Sequence, residues 1–281
     1  MKIRRPAQAG FFYENSSEAL KRQIVGCFNH ELGPKKTPTV QKGPRNIVGI
    51  ICPHAGYNYS GPVAAHSYYN LALDGKPKII VILGPNHTGQ GSGLAIMKEG
   101  VWRTPLGDVP IDEETANLIL HKSRIVDVDE LAHITEHSIE VQLPFLQYLY
   151  GSAFKFVPIS FLMQDFESSC EVGYDVAEAL KGKNALIIAS TDMSHYEPHE
   201  VAEKKDKIAL TALEKLNEKE FYSIVESHHI TACGYGPVVA LVVAAKILGA
   251  TKSKMLCYKT SGDVAGDYSA VVGYASVAFT K

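Results

Sequence analysis

The sequence predicts a single α/β domain with a mixed, largely parallel central sheet flanked by helices. Three observations carry this. Short runs rich in β-branched residues alternate along the chain with stretches of helical pattern, the arrangement in which crossover helices link parallel strands. The runs are continuously apolar, as strands covered on both faces must be. The chain also ends in two strand-like runs joined by one loop, an antiparallel arrangement that makes the sheet mixed. With 281 residues and 46% hydrophobic content, the whole of 1–281 is read as one domain with a full buried core.

Taken in order, Asn15 with Glu18 three residues later has the form of a capping box and opens a helix through "SEALKRQIVGCFNHEL". The segment "LGPKKTPTVQKGPR" (32–45), rich in Pro, Gly and Lys, is a loop within the domain. Buried strands are expected at "NIVGIIC" (46–52), "KIIVILG" (78–84), "FKFVPISF" (154–161) and "ALIIAS" (185–190). Between them fall the helical stretches "PVAAHSYYNLAL", "DEETANLILHK", "HSIEVQLPFLQYLY" and "EVGYDVAEALKG". A last helix, "PVVALVVAAKILG", has small residues that permit close packing, and the terminal pair is "KMLCYKT" and "SAVVGYASVAF".

Composition excludes several function classes. Lys+Arg 28 against Asp+Glu 30 leaves a net charge of -2 without a long basic run, so nucleic acid is not an expected partner. No apolar run approaches the roughly 20 residues needed to cross a bilayer, and "MKIRRPAQAG" leads into no apolar signal core, so a cytoplasmic protein without membrane contact is expected. Five widely spaced cysteines fit reduced thiols better than a disulfide framework. "GQGSG" lacks the Walker lysine and serine and does not match GxGxxG, and neither GxSxG nor HExxH occurs.

Three of the four strands run directly into a polar loop containing histidine: "IIC" into "PHAG", "VILG" into "PNHTGQG" and "IIAS" into "TDMSHYEPH". Ligands of open α/β sheets bind beyond the carboxyl ends of the strands, so His54, His87 and His195 are expected on one rim. A lone strand-end histidine more often just orders its loop; three equivalent placements point to a site. Imidazole ligands need an anionic partner to complete a metal site, and the chain offers Asp192, three residues before His195, and Cys233, just before a helix whose dipole favours a thiolate. In "EHSIEVQLPFL" the i, i+3 spacing of His137 and Glu140 predicts one helical face, with both supporting the ligands or facing substrate. His30, His66, His121, His133, His199, His228 and His229 have no comparable setting.

The segments "PAQAGFFY", "PHAGYNYSG", "GPNHTG", "WRTPLGD", "EHSIEVQLPFLQ", "STDMSHY", "TACGYGP" and "TSGDVAGDYSAVVGYAS", in this order, resemble the Memo family, whose microbial members are called AmmeMemoRadiSam system protein B. The resemblance implies a fold shared with the class III extradiol dioxygenases, non-haem iron(II) enzymes. It further implies a metal cluster of His54, His87 and Cys233, with Asp192 and His195 lining the same pocket and His195 matching the dioxygenases' acid/base histidine. Where those enzymes complete their site with a glutamate, Cys233 stands here. A thiolate moves metal preference toward copper(I), zinc or a more reducing iron.

Two function classes follow. In the first, the chain is a redox enzyme that uses iron(II) or copper, with zinc ranked behind them, on a small substrate. In the second, it binds metal or peptide without turnover, as an adaptor whose groove "GFFY" (Phe11, Phe12, Tyr13) and "YNY" (Tyr57, Tyr59) would line. A zinc hydrolase ranks third. The redox class leads, because an acid/base candidate beside a metal has no use in a passive site.

Overall fold

A computed structural model of the protein describes residues 2–152 and 154–281. In chain order the elements are β1 (Ile3–Arg4), α1 (Ser17–Asn29), β2 (Ile47–Cys52), α2 (Gly61–Asp74), β3 (Ile79–Pro85), β4 (Leu94–Ile96), β5 (Val101–Thr104), β6 (Gly107–Pro110), α3 (Glu113–Lys122), β7 (Asp127–Val128) and α4 (Leu131–Ile134). A 3-10 turn (Glu140–Gln142) leads into α5 (Leu143–Tyr150), followed by β8 (Lys155–Phe161), α6 (Phe166–Leu180), β9 (Ala185–Ser190) and β10 (His195–Glu197). The chain closes with α7 (His199–Glu214), α8 (Glu218–Ser227), α9 (Tyr235–Ile247), β11 (Lys252–Thr260), α10 (Ser261–Ala265) and β12 (Val271–Thr280).

The centre of the large sheet is four parallel strands in the order β2-β9-β3-β8. On one side β12 pairs antiparallel with β2, and both β10 and β11 pair antiparallel with β12. On the other, β4 lies antiparallel to β8 and β7 runs parallel to β4. The sheet is therefore mixed, with its parallel core where the all-apolar runs predicted it. A separate three-stranded sheet, β1-β5-β6, holds the amino terminus against the hairpin of "WRTPLGD".

Burial explains the run composition. Residues Ile80 to Leu83 of β3 and Leu186 to Ala189 of β9 are fully buried, with α9 packed against both strands. Each such aliphatic side chain contributes roughly 1.5–3 kcal/mol of transfer free energy. Helix α9 is apolar all round because it packs on α6 and α8 while lying over β2, β3 and β9. Among the described residues, no helix is long and apolar enough to cross a membrane.

Two local expectations are corrected. The amino-terminal helix is capped by Ser16, whose hydroxyl accepts from the Ala19 N–H (3.3 Å), and not by Asn15; the helix stops at Asn29, short of Leu32. The expected helix over 137–150 becomes a turn and a short helix, because Pro144 sits in the first turn of α5, the position its missing N–H favours. His137 precedes both elements, so it and Glu140 do not share a helical face.

The topology places the site. Cys52, Pro85 and Ser190 end three neighbouring parallel strands at one edge of the sheet, so the loops carrying His54, His87 and Asp192–His195 emerge together. A cavity of about 690 Å³ lies at the opposite edge, lined by Lys42, Lys76, Lys183, Ile47 and the ends of α6 and α9. Among the described residues, its lining carries no histidine, cysteine or carboxylate.

Candidate metal centre

His54 leaves β2 through Pro53 and is buried. Its backbone N–H donates to Asp192 Oδ1 (2.8 Å) and its Nδ1 lies 2.9 Å from Ser190 Oγ. The Ser190 hydroxyl has one proton, which it gives to the Ser138 carbonyl (2.6 Å), while it accepts from Gln142 Nε2 (2.8 Å). His54 Nδ1 must then be the protonated nitrogen, and Nε2 keeps its lone pair. Burial first, then the nearby His137, His87 and His195, holds the imidazole pKa well below its usual value, so His54 is neutral and ready to ligate.

His87 reaches the same tautomer by another route. Its Nδ1 lies 2.9 Å from Glu136 Oε1, and its backbone N–H donates to Glu136 Oε2. Glu136 is buried, which on its own would raise its pKa. The His87 hydrogen bond, the charges of His87 and His137 and the Ser138 N–H outweigh this and bring it down to about 2. An ionised carboxylate can only accept, so His87 Nδ1 donates, and in the neutral imidazole Nε2 carries the lone pair. Carboxylate-to-histidine contacts of this kind orient metal ligands and raise their basicity. Gly84 makes the approach possible: a Cβ there would sit 2.6 Å from Ser138 Oγ and 2.8 Å from Ile139 Cγ1.

His54, His87 and His137 each offer a ring nitrogen, and these three atoms lie within 4.8 Å of one another, a cluster that can hold a metal ion. The ring planes qualify this. His54 and His87 meet edge-on at 81°, with centroids 5.2 Å apart, so their in-plane lone pairs can converge. His87 and His137 are stacked, 4.4 Å apart at 21°, and two nearly parallel rings cannot both aim in-plane lone pairs at one ion. Burial pushes the His137 pKa down to about 4, and Phe12 packs on its ring at 4.7 Å.

Cys233 stands outside that trio, with Sγ 3.1 Å from His54 Nε2. Donors sharing one tetrahedral ion at ordinary metal–sulfur and metal–nitrogen lengths are about 3.5 Å apart, so Cys233 is close to that spacing from His54, but it does not join the mutually close set of three donors. Gly234 permits this approach to His54, since a Cβ there would meet the Ser190 carbonyl oxygen at 2.5 Å. Without a cation, burial and the neighbouring Asp192 push the thiol pKa up. Asp192 itself is raised to about 6 by burial, against the opposing His54 and Ala55 N–H groups.

His195 opens β10. Its N–H donates to Thr231 Oγ1 (2.7 Å) and its Nδ1–H to the Thr231 carbonyl (2.9 Å), so Nε2 is the nitrogen not tied to the backbone. Tyr196, next to it, holds the left-handed conformation (φ 60) with its side chain 80% exposed. The predicted aromatic groove is not one surface: Tyr13 and Tyr57 are buried, Phe12 packs on His137, and Phe11 and Tyr59 are exposed. Glu140 is fully buried and paired with Arg4.

Fold and site together define an α/β protein with a cluster of three histidines, at the rim of its sheet, that could hold a metal ion. The chain belongs to the Memo family: the family profile described as "Memo-like protein" matches residues 4–278. A MEMO1 family protein of Methanopyrus kandleri is 51% identical over 281 residues, with 99% of both chains covered. Another, from Methanocaldococcus jannaschii, is 52% identical over 283 residues, covering 98% of each. Among solved structures, an uncharacterized protein from Escherichia coli K12 superposes with a TM-score of 0.57 at 15% identity, over 83% of this chain and 99% of that one, a likeness of fold alone.

Proposed function

We propose that the protein is a redox enzyme that binds one iron(II) or copper ion through His54 Nε2, His87 Nε2 and Cys233 Sγ and acts on a small substrate. The observation that carries this reading is the pair of fixed tautomers. Ser190 and Glu136 occupy Nδ1 of His54 and His87, so in the neutral rings both lone pairs fall on Nε2, and Cys233 Sγ lies 3.1 Å from that of His54. A sulfur donor favours copper(I) or a more reducing iron, with zinc behind them. When bound, the metal would supply an electron-transfer and Lewis-acid centre.

The chain's own residues do the rest. Asp192 holds the His54 backbone, and the charge of a bound cation would favour its ionised form and that of Cys233. His195, tied through Nδ1 to Thr231, presents an Nε2 that can take a proton and return it. A second reading, with His137 in place of Cys233, has the close spacing of the three histidines in its favour, and the stacking of His137 on His87 against it.

Metal analysis of the double variant His54→Ala, His87→Ala is the first test, and undiminished stoichiometry there refutes the site. His137→Ala against Cys233→Ala then separates the two donor sets. His195→Gln should retain metal and lower oxidation by about 10²-fold or more. Loss of metal from that variant would make His195 a ligand instead.

A further inference from the structure

The segment 133–140 carries both Glu136 and His137, and Arg4, near the start of the chain, holds it in place. The Arg4 side chain is 3% exposed. Its Nε donates to the His133 carbonyl (3.0 Å), Nη2 to the Glu136 carbonyl (2.7 Å) and Nη1 to the Glu140 carboxylate. The guanidinium also lies over the Trp102 ring, 4.4 Å from its centroid.

Glu140 completes the device from the other side. Besides Arg4, its oxygens accept from the N–H groups of Ala7 and Gln8 (2.9 Å each) and from the Tyr13 hydroxyl (2.5 Å). The loop thus pinned between β1 and α1 carries Phe12, whose carbonyl accepts from the Tyr57 N–H (2.8 Å) and whose ring packs on His137. His137 in turn stacks on His87. One buried ion pair therefore reaches His87 by two routes: through the Glu136 backbone to the carboxylate on Nδ1, and through Phe12 and His137 to the face of the ring.

A buried ion pair is weak evidence for stability, since apolar replacements of similar volume often do as well. Arginine's planar fork offers something an apolar pair cannot, because it fixes two carbonyls and a carboxylate in one geometry. Building on the metal reading above, we infer that Arg4 and Glu140 are positioning residues of the metal centre. They hold Glu136 against His87, and hold Phe12 against His137, so that His87 Nε2 keeps its aim. Arg4→Lys keeps the charge but cannot make the three contacts at once; Glu140→Gln keeps the shape but loses the charge.

The test uses the full-length chain with ¹⁵N-labelled histidine. In metal-free protein, the His87 Nδ1–H resonance, far downfield when bonded to a carboxylate, should move upfield or be lost in Arg4→Lys and Glu140→Gln. Cobalt(II) affinity, followed by its visible absorption, should fall about ten- to hundredfold, the range for losing a partner that orients a ligand. A role in stability alone would lower the melting temperature while leaving resonance and affinity within twofold of wild type, and that result overturns the proposal. If either variant fails to fold, Tyr13→Phe, which removes one bond to Glu140 and leaves the ion pair, decides it: the same shift at smaller size supports the proposal, and an unmoved resonance overturns it. Should wild type bind neither cobalt(II) nor copper(I), the metal reading fails, and the resonance still decides the positioning.

Discussion

Glu136 Oε1 accepts three hydrogen bonds, and the one from His87 Nδ1 (2.9 Å) joins a buried carboxylate to an imidazole 49 positions away in sequence. The contact fixes which nitrogen of His87 is free. Glu136→Gln removes the charge and weakens that constraint, because a side-chain amide can turn its NH₂ toward Nδ1 and reverse the tautomer. Affinity for iron(II) or copper(I) should drop about ten- to hundredfold with the fold intact. Anaerobic competition titration measures it, and an unchanged constant would mean that Glu136 only packs.

The cysteine separates this site from a two-histidine, one-carboxylate centre. If Cys233 is a donor, Cys233→Ser removes the soft ligand and should weaken copper(I) far more than iron(II). Cys233→Glu should shift preference toward iron(II), provided that the longer side chain fits beside His54. Titrating wild type and both variants with each metal checks this. Equal affinities across the series would return Cys233 to packing and favour His137 as the third donor.

Much of the fold was legible because burial on both faces writes a strand as an uninterrupted apolar run: β9 matches "ALIIAS" residue for residue, β2 and β8 differ by one residue at an end, and β3 is shifted by one residue. The rim histidines were legible for the same reason, since strand ends mark the edge where ligands bind. Glu136 was not, because an acid beside a histidine resembles a solvated turn, and its role rests on a contact that no local spacing encodes. Arg4 acts across more than 125 positions and is equally silent. The helix expected over 137–150 failed where apolar spacing ran on past the real boundary; Pro144 was the available signal. Strands β4 to β7, two to four residues each, are too short to show a period.

Tyr196 stores strain beside the site. A bulky residue at φ 60 is disfavoured by about 1–2 kcal/mol, and its ring is too exposed for packing to offset this. Asparagine tolerates that conformation, so Tyr196→Asn should stabilise the fold by about 0.5–1 kcal/mol, a rise of roughly 1–2 °C in melting temperature for a chain of this length. Calorimetry reads the change. A lower melting temperature would show that the Tyr196 ring makes contacts that outweigh the strain.

Asp206 gives the fold a pH dependence of its own. Its side chain sits beneath β10, where Ser194 donates to Oδ1 through both N–H and hydroxyl, and the Tyr258 hydroxyl donates to Oδ2 (2.7 Å). Burial raises its pKa to about 6 despite these donors. The native state therefore holds the proton more tightly than the unfolded chain, whose carboxyl titrates near 3.8. The stability this confers is fully present below the unfolded value and is lost as pH rises through about 6. A gap of about two units corresponds to roughly 3 kcal/mol. Asp206→Asn cannot ionise, so its stability relative to wild type should improve by about that amount between pH 4 and pH 7. Comparing the two proteins at each pH cancels the titration of every other group. Urea unfolding across that range supplies the measurement, and a constant difference between the proteins would place the Asp206 pKa back at its unfolded value.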